Sequence, residues 1–413
     1  MADETARAIE ATFRIERARL IATLARLTGS LDQAEERAHD ALAIALAEWP
    51  RTGIPANPAA WLTTTAKRRA IDSLRHEKMR TRKHAELARD PTNSQAPDPS
   101  PTPDLGDDLL ALIFTACHPA LSPDARAALT LRVVGGLTTA EIARAFLVPE
   151  PTIAQRITRA KKTLAAAGAR FVVPQGTHRA ARLPSVLEIL YLIFNEGYAA
   201  TRGEALTRPA LCHQAMRLGR TLVALMPNEP EALGLLALME LQASRLPARQ
   251  AADGSPIPIA SQNRARWDQL LIRRGLAALA RAQSLAPPGP YTLQAALAAC
   301  HATARTATAT DWPKIANLYD QLFEILPSPI VALNRAIAHS ISQGPQAGLA
   351  LLDALATTPT LKAYAPYHAA RADCLLRAGR PTEARPHFQT AATLTQNPHE
   401  ATYLLTRAQS CEE

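Results

Sequence analysis

The run from Leu137 to Lys162, LTTAEIARAFLVPEPTIAQRITRAKK, constrains the chain more than any other stretch. Thr138 followed by Glu141 fits a capping box at a helix start, and Ile142, Ala143 and Phe146 then share one face. Val148-Pro149 stops that helix, because proline removes an N–H and disfavours helical geometry in the residue before it. The spacing predicts an immediate restart, with Glu150 at the cap, Pro151 in the first helical position, and Ile153 and Ile157 at helical intervals. Two short helices joined so tightly must cross steeply and bury Ala143 against Ile153 and Ile157, which is the geometry of a helix-turn-helix. The outer face of the second helix carries Gln155, Arg156, Thr158, Arg159 and Lys162. Gln and Arg can read base edges in a major groove, and Arg, Lys and Thr can bond phosphates. A solvated helical hairpin would have the same pattern, so a second feature has to decide between them.

That feature is the helix expected over residues 59–80. Leu62, Ala66, Ala70 and Leu74 form an apolar seam, while Lys67, Arg68, Arg75 and Lys78 point elsewhere. Between Trp61 and Arg89 there are nine Lys/Arg against three Asp/Glu. Between Arg132 and Arg170 there are seven against two. The chain's net charge of +9 is thus concentrated in two separate basic helices, as expected for two contacts with one long anion. Upstream, residues 10–29 read as an amphipathic helix with Phe13, Arg17, Leu20, Ile21, Leu24 and Leu27 in register. A second helix runs from Ser30 or Asp32 to Trp49, its exposed face carrying Asp32, Glu35, Glu36 and Asp40. Residues 50–58, rich in proline, read as a loop. Between the two basic regions lies DPTNSQAPDPSPTPD (90–104), with five prolines, a stiff polar tether. Helices over 109–117 and 125–134 follow, the latter capped by Ser122 and ended by Gly135-Gly136.

A helical domain ending in NPAAWLTTTAKRRAIDSLR, a proline-rich linker and a helix-turn-helix ending in AQRITRAKKTL together resemble an extracytoplasmic-function sigma factor of the sigma-70 type. The resemblance covers residues 10–168. It implies that residues 32–49 dock on the clamp of the beta-prime subunit of core RNA polymerase through Asp32, Glu35, Glu36 and Asp40, and that the beta flap of the polymerase is a further partner. It further implies that Asn57, Trp61, Lys67, Arg68, Arg75 and Lys78 engage and open the promoter's melting element. The farther upstream element would fall to Thr138, Thr139, Thr152, Gln155, Arg156, Thr158, Arg159 and Lys162. Arg68, Leu147 and Pro151 stand where the family often has Asn, Gly and Gly, departures that bear on which promoter sequence is read.

The expected fold class is all-α, consistent with 47% hydrophobic but only 4% aromatic residues. The expected domains are 8–88 (polymerase docking and melting element), the linker 89–104, and 105–172 (helix-turn-helix). An irregular helical domain over 183–290 and tetratricopeptide-like repeats over 291–413 complete the chain. The repeats rest on two self-similar segments around Ala332–Leu351 and His368–Phe388, offset by roughly 35 residues. The extension, with LYLIFNEGYAA, SRLPARQ, NRARWD and GPYTLQAA, resembles that of a sigma subgroup regulated in cis.

Five cysteines without a CxxC, an acidic N-terminus and apolar runs too short for a bilayer point to a soluble cytoplasmic, nucleoid-associated protein with no membrane contact. Three Cys-His pairs (Cys117-His118, Cys212-His213, Cys300-His301) are unsuited to a shared metal, since adjacent helical side chains diverge by about 100°. No catalytic motif stands out, so neither an enzyme nor a metal or cofactor is expected. Arg245, Arg249, Asp253, Arg264, Trp267 and Asp268 flank the strand-like alternation SPIPI at 255–259. They form either a salt-bridge cluster, a ligand-pocket lining or an interdomain contact. The rival to a sigma factor is a ligand-sensing helix-turn-helix regulator acting without core polymerase.

Overall fold

The structure is a computed structural model that describes residues 2–87, 105–146, 148–199, 207–251, 254–395 and 398–411. It divides into two compact units, residues 1–144 with 148–189 and residues 145–147 with 190–413. The linker 90–104 lies outside the described residues.

The first unit is built from α1 (Ala2–Thr28), α2 (Leu31–Thr52), α3 (Pro58–Leu87), α4 (Leu105–Ala116), α5 (Pro123–Val133), α6 (Thr139–Phe146), α7 (Glu150–Ala166) and the first half of α8 (Gly176–Tyr198). α1 is central, packing on α2, α3 and α4. Its Leu20, Ile21 and Leu24 are buried with Leu62 and Ala66 of α3 and with Phe114 of α4. Asp108 of α4 accepts from Thr23 (3.0 Å) and pairs with Arg26 (2.7 Å) of α1, so α4 is fixed to α1 by charge as well as by packing.

Pro50, expected to lie in a loop, does not break its helix. α2 continues through Pro50 to Thr52 and closes at Gly53, whose φ of 84° suits glycine and whose N–H reaches the Trp49 carbonyl. α8 likewise starts at Gly176 and runs through Pro184. In both cases the residue four positions back, Leu46 or Ala180, is exposed, so the carbonyl stripped of its N–H can be solvated. The second helix of the helix-turn-helix also starts one residue off the expectation, with Pro149 at the cap and Glu150 already helical.

The second unit continues with α9 (Pro209–Leu225) and α10 (Pro230–Ala243), three single 3-10 turns, α11 (Gln269–Leu285), α12 (Pro290–Thr303) and α13 (Trp312–Ile325). α14 (Pro329–Ser342), α15 (Pro345–Leu355), α16 (Pro359–Lys362), α17 (Ala365–Arg377), α18 (Pro381–Leu394) and α19 (Pro398–Gln409) complete it. α10 is buried nearly all round among α9, α11 and α12. The pair α14–α15 is followed, about 35 residues on, by the pair α17–α18, the helices of each pair packed on one another and α17 packed on the pair before it. Close approach within α14–α15 depends on Gly348, where a Cβ would lie 2.3 Å from the Ser340 Cβ. The strand-like alternation at 255–259 gives only one antiparallel bridge, Gln250 to Pro256, and no strand forms among the described residues. Two prolines in five residues leave too few N–H groups for a ladder.

Candidate nucleic-acid interface

The helix-turn-helix forms from its own local chemistry. The Thr138 hydroxyl accepts the Glu141 N–H (3.1 Å) and the Glu141 carboxylate accepts the Thr138 N–H (2.7 Å), the reciprocal capping box. Ile142, Ala143, Ile153, Ile157, Ala160 and Leu164 are buried, so the apolar faces of α6 and α7 turn inward. This leaves Thr152, Gln155, Thr158, Arg159 and Lys162 exposed along α7. A concave surface of about 360 Å³ runs beside them, lined by Ser122 and Ala125 at the start of α5 and by Thr152, Gln155, Arg156 and Arg159. Two expected contacts are partly engaged already. Arg156 pairs with Asp124 (3.2 Å), and the Thr158 hydroxyl donates to the Ala154 carbonyl of its own helix. Thr138 is exposed and Thr139 half-buried at the start of α6.

The second basic surface is α3. Asn57 caps it, its side-chain oxygen accepting the Ala60 N–H (3.0 Å). Trp61 packs edge-on against the buried Trp49 with ring centroids 5.3 Å apart, which anchors the start of α3 to the end of α2. Arg68 and Arg75 are exposed, Lys67 is half-buried, and Arg75 lies 3.9 Å from Asp72. The Lys78 side chain lies outside the described residues.

The acidic face of α2 departs from the expectation at one residue. Asp32 and Glu36 are exposed and Asp40 half-buried, but Glu35 is 8% exposed. It is the centre of a buried charge cluster: Arg17 lies at 2.8 Å, Lys161 at 2.5 Å and Arg132 at 3.4 Å. Lys161 also reaches Asp32 (2.8 Å), and Arg17 donates to the Arg132 carbonyl (2.6 Å). Three cations from α1, α5 and α7 thus converge on a carboxylate of α2, tying the region around α1–α3 to the helix-turn-helix. Burial and the neighbouring Arg132 pull the Arg17 guanidinium below its usual range. Burial also opposes the charge on Lys161, but hydrogen bonds to Asp32 and Glu35 outweigh it and raise the ammonium pKa. Lys161 and Arg132 were absent from the sequence-predicted site. The available signal was that Lys161 sits four residues after the buried Ile157, and a lysine on a core-facing seam needs a carboxylate partner.

In the second unit Arg245, Arg264 and Trp267 come together and Arg249 lies over Tyr198. Asp268 instead caps α11 through the N–H groups of Leu270 and Leu271, and Asp253 lies outside the described residues. The cysteines of all three Cys-His pairs are buried, with burial pushing Cys117 up to about 11 and Cys212 up to about 12. No helix of the described residues is long and apolar enough to cross a membrane.

Residues 12–80 match sigma-70 region 2, residues 111–164 match sigma-70 region 4, and residues 182–283 match a family of unknown function, DUF6596. An uncharacterized protein of Rhizobium meliloti (strain 1021) is 42% identical over 391 residues, covering 94% of this chain and 92% of its own length. Among solved structures, a tetratricopeptide repeat protein from Parabacteroides merdae aligns at 12% identity and TM-score 0.35, over 66% of this chain and 97% of its own. Yeast Tom70 aligns at 13% identity and TM-score 0.32, over 100% of this chain and 84% of its own. The region 2 match contains α2 and the exposed part of α3, the region 4 match contains the helix-turn-helix, and the Rhizobium relative spans both together with the extension. The chain therefore belongs to the sigma-70 family, as a sigma factor of extracytoplasmic-function architecture whose regions 2 and 4 are followed by a DUF6596 domain.

Proposed function

We propose that this chain is a promoter-specificity subunit that docks on the clamp and flap of core RNA polymerase, opens the melting element with α3 and reads the upstream element with α7. The observation that carries the reading is the pair of exposed basic faces, Arg68 and Arg75 on α3 and Gln155, Arg159 and Lys162 on α7, one in each sigma region. Phosphate contacts from both faces fix register, while Gln155 and Arg159 offer donors suited to base edges. Trp61 supplies an aromatic edge beside the basic face of α3, suited to stacking on an unpaired base.

Docking on polymerase through α2 has a condition attached. The carboxylates of Asp32 and Glu35 cannot pair with Lys161 and with a basic polymerase surface at once, so engagement exchanges one set of cations for another. In this reading the protein works in the cytoplasm at the nucleoid, and the unit that follows α8 modulates initiation in cis. Permanganate footprinting with reconstituted polymerase tests the assignment of α3. Wild type should render promoter thymines reactive, whereas Trp61→Ala, Lys67→Ala and Arg75→Ala should each reduce that reactivity; undiminished opening by all three removes α3 from melting.

A further inference from the structure

Three arginines in the second unit are arranged unlike the others around them. Arg245 follows α10, Arg249 lies four residues on, and Arg264 opens the 3-10 turn before α11. The Arg245 and Arg264 guanidinium carbons lie 5.6 and 4.7 Å from the ring centroid of Trp267, which is 3% exposed and whose indole N–H has no partner among the described residues. The Arg249 guanidinium lies 3.8 Å from the Tyr198 ring centroid. Aromatic faces thus hold all three cations in place.

Among the described residues every acceptor they use is neutral. Arg245 donates from Nε to the Gln262 side chain (3.2 Å), and Arg249 donates to the Tyr198 carbonyl. Arg264 donates to the carbonyls of His301 and Ala304 (2.8 Å) and to the Thr310 hydroxyl (3.3 Å). Among the described residues no carboxylate pairs with any of the three, and the terminal nitrogens of Arg245 are committed to no acceptor. Elsewhere in the same unit half-buried arginines are matched, Arg220 with Glu240 (2.7 Å), Arg335 with Asp320 (2.5 Å) and Arg407 with Asp373 (3.0 Å). The surplus charge is felt by its neighbours. His301 is pushed down to about 4 by burial and by Arg245 and Arg264, and Arg245 is itself lowered by burial, Arg249 and Arg264.

Among the described residues the three half-buried like charges have no counter-charge, an arrangement that is unfavourable unless something supplies one. We propose that Arg245, Arg249 and Arg264 form a binding site for the phosphate group of a small ligand. Guanidinium forks match phosphate oxygens bidentately, and a phosphate dianion offsets two of the three charges where a carboxylate offsets one. The cation-bearing segments also belong to the stretch that matches the DUF6596 family, residues 182–283.

The test uses the full chain and inorganic phosphate at fixed ionic strength, with acetate as the matched control, read by thermal unfolding and by the NMR titration of the histidine ring protons. Phosphate should raise Tm saturably and raise the His301 pKa, and acetate should do neither. In Arg245→Gln and Arg264→Gln the phosphate affinity should fall about tenfold or more, the loss of one charge-assisted bond, while the exposed α11 variant Arg281→Gln should keep it. The histidine titration is made on the unaltered chain, so it stands even if an arginine variant fails to fold. No saturable phosphate effect, an equal effect of acetate, or an undiminished effect in folded Arg245→Gln would overturn the site.

Discussion

Glu35 is the residue on which the first unit's charge arrangement depends. Its carboxylate offsets Arg17, Arg132 and Lys161 together, so Glu35→Gln leaves three cations in a poorly solvated site with only Asp32 to face them. Removing one partner of a buried pair costs about 3–5 kcal/mol. Urea unfolding of the variant should show a loss of that order at unchanged m-value, and a loss under ~1 kcal/mol would mean the cluster is solvated like a surface pair. His301 gives a second residue-scale expectation, in its pH dependence. Its folded pKa of about 4 lies below the ordinary imidazole value of 6.5, so between those limits the unfolded chain binds the extra proton. Stability contributed by the neutral ring is complete above pH 6.5 and declines as pH falls toward 4. The decline reaches on the order of 3 kcal/mol, and comparison with His301→Gln separates it from the titration of carboxylates. A His301→Gln variant with the same slope as wild type would show that the folded structure does not depress the proton affinity of this ring.

At the scale of elements, α7 divides its labour by face. Arg159 is exposed at the concave surface, whereas Arg156 is tied to Asp124. Arg159→Ala should therefore weaken binding to the cognate upstream element by about 1–3 kcal/mol in an electrophoretic mobility assay with polymerase. The same loss on unrelated DNA would make it a phosphate contact only. Within the repeat-like helices, Gly348→Val should separate α14 from α15 and lower stability by about 1–3 kcal/mol in thermal unfolding, since even a Cβ there meets Ser340.

The helix-turn-helix was legible from sequence because its cap, its proline stop and its apolar spacing are all local. The courses of α2 and α8 were less so. Whether Pro50 or Pro184 ends a helix depends on whether the carbonyl four residues back can reach water, which the local sequence does not encode. Glu35 departs from its expected exposed face for a related reason. Of the adjacent Lys161 and Lys162, one turns inward because Glu35, far away in sequence, waits there, and Glu35 in turn leaves the acidic face it shares with Asp32 and Glu36. The arginine group in the second unit was legible as a set, but only the structure separates Asp268, a helix cap, from the cations that meet at Trp267.

For the whole molecule, the boundary between compact units falls after Ile189, within α8. Residues before that point belong to the first unit: Ser185 donates to the Cys117 carbonyl (2.9 Å), and Arg126 reaches Ser185 and Glu188. A chain ended shortly after Ile189 should thus retain the cooperative unfolding of the first unit, as followed by circular dichroism, whereas one ended at residue 182 should be less stable. Equal stability would mean that the start of α8 adds nothing to that unit.

The central claim, that the chain gives core RNA polymerase its promoter choice, is tested most directly by run-off transcription. Purified chain is added to bacterial core polymerase over a set of genomic fragments, and the same reaction is run with the chain ended after Ile189. Transcripts that start at defined sites only when the chain is present, and that are lost when Arg159 and Arg75 are both replaced by alanine, are the expected result. Tight binding to DNA with no co-elution with core polymerase and no chain-dependent transcript would contradict it, and would instead favour a helix-turn-helix regulator that works without polymerase.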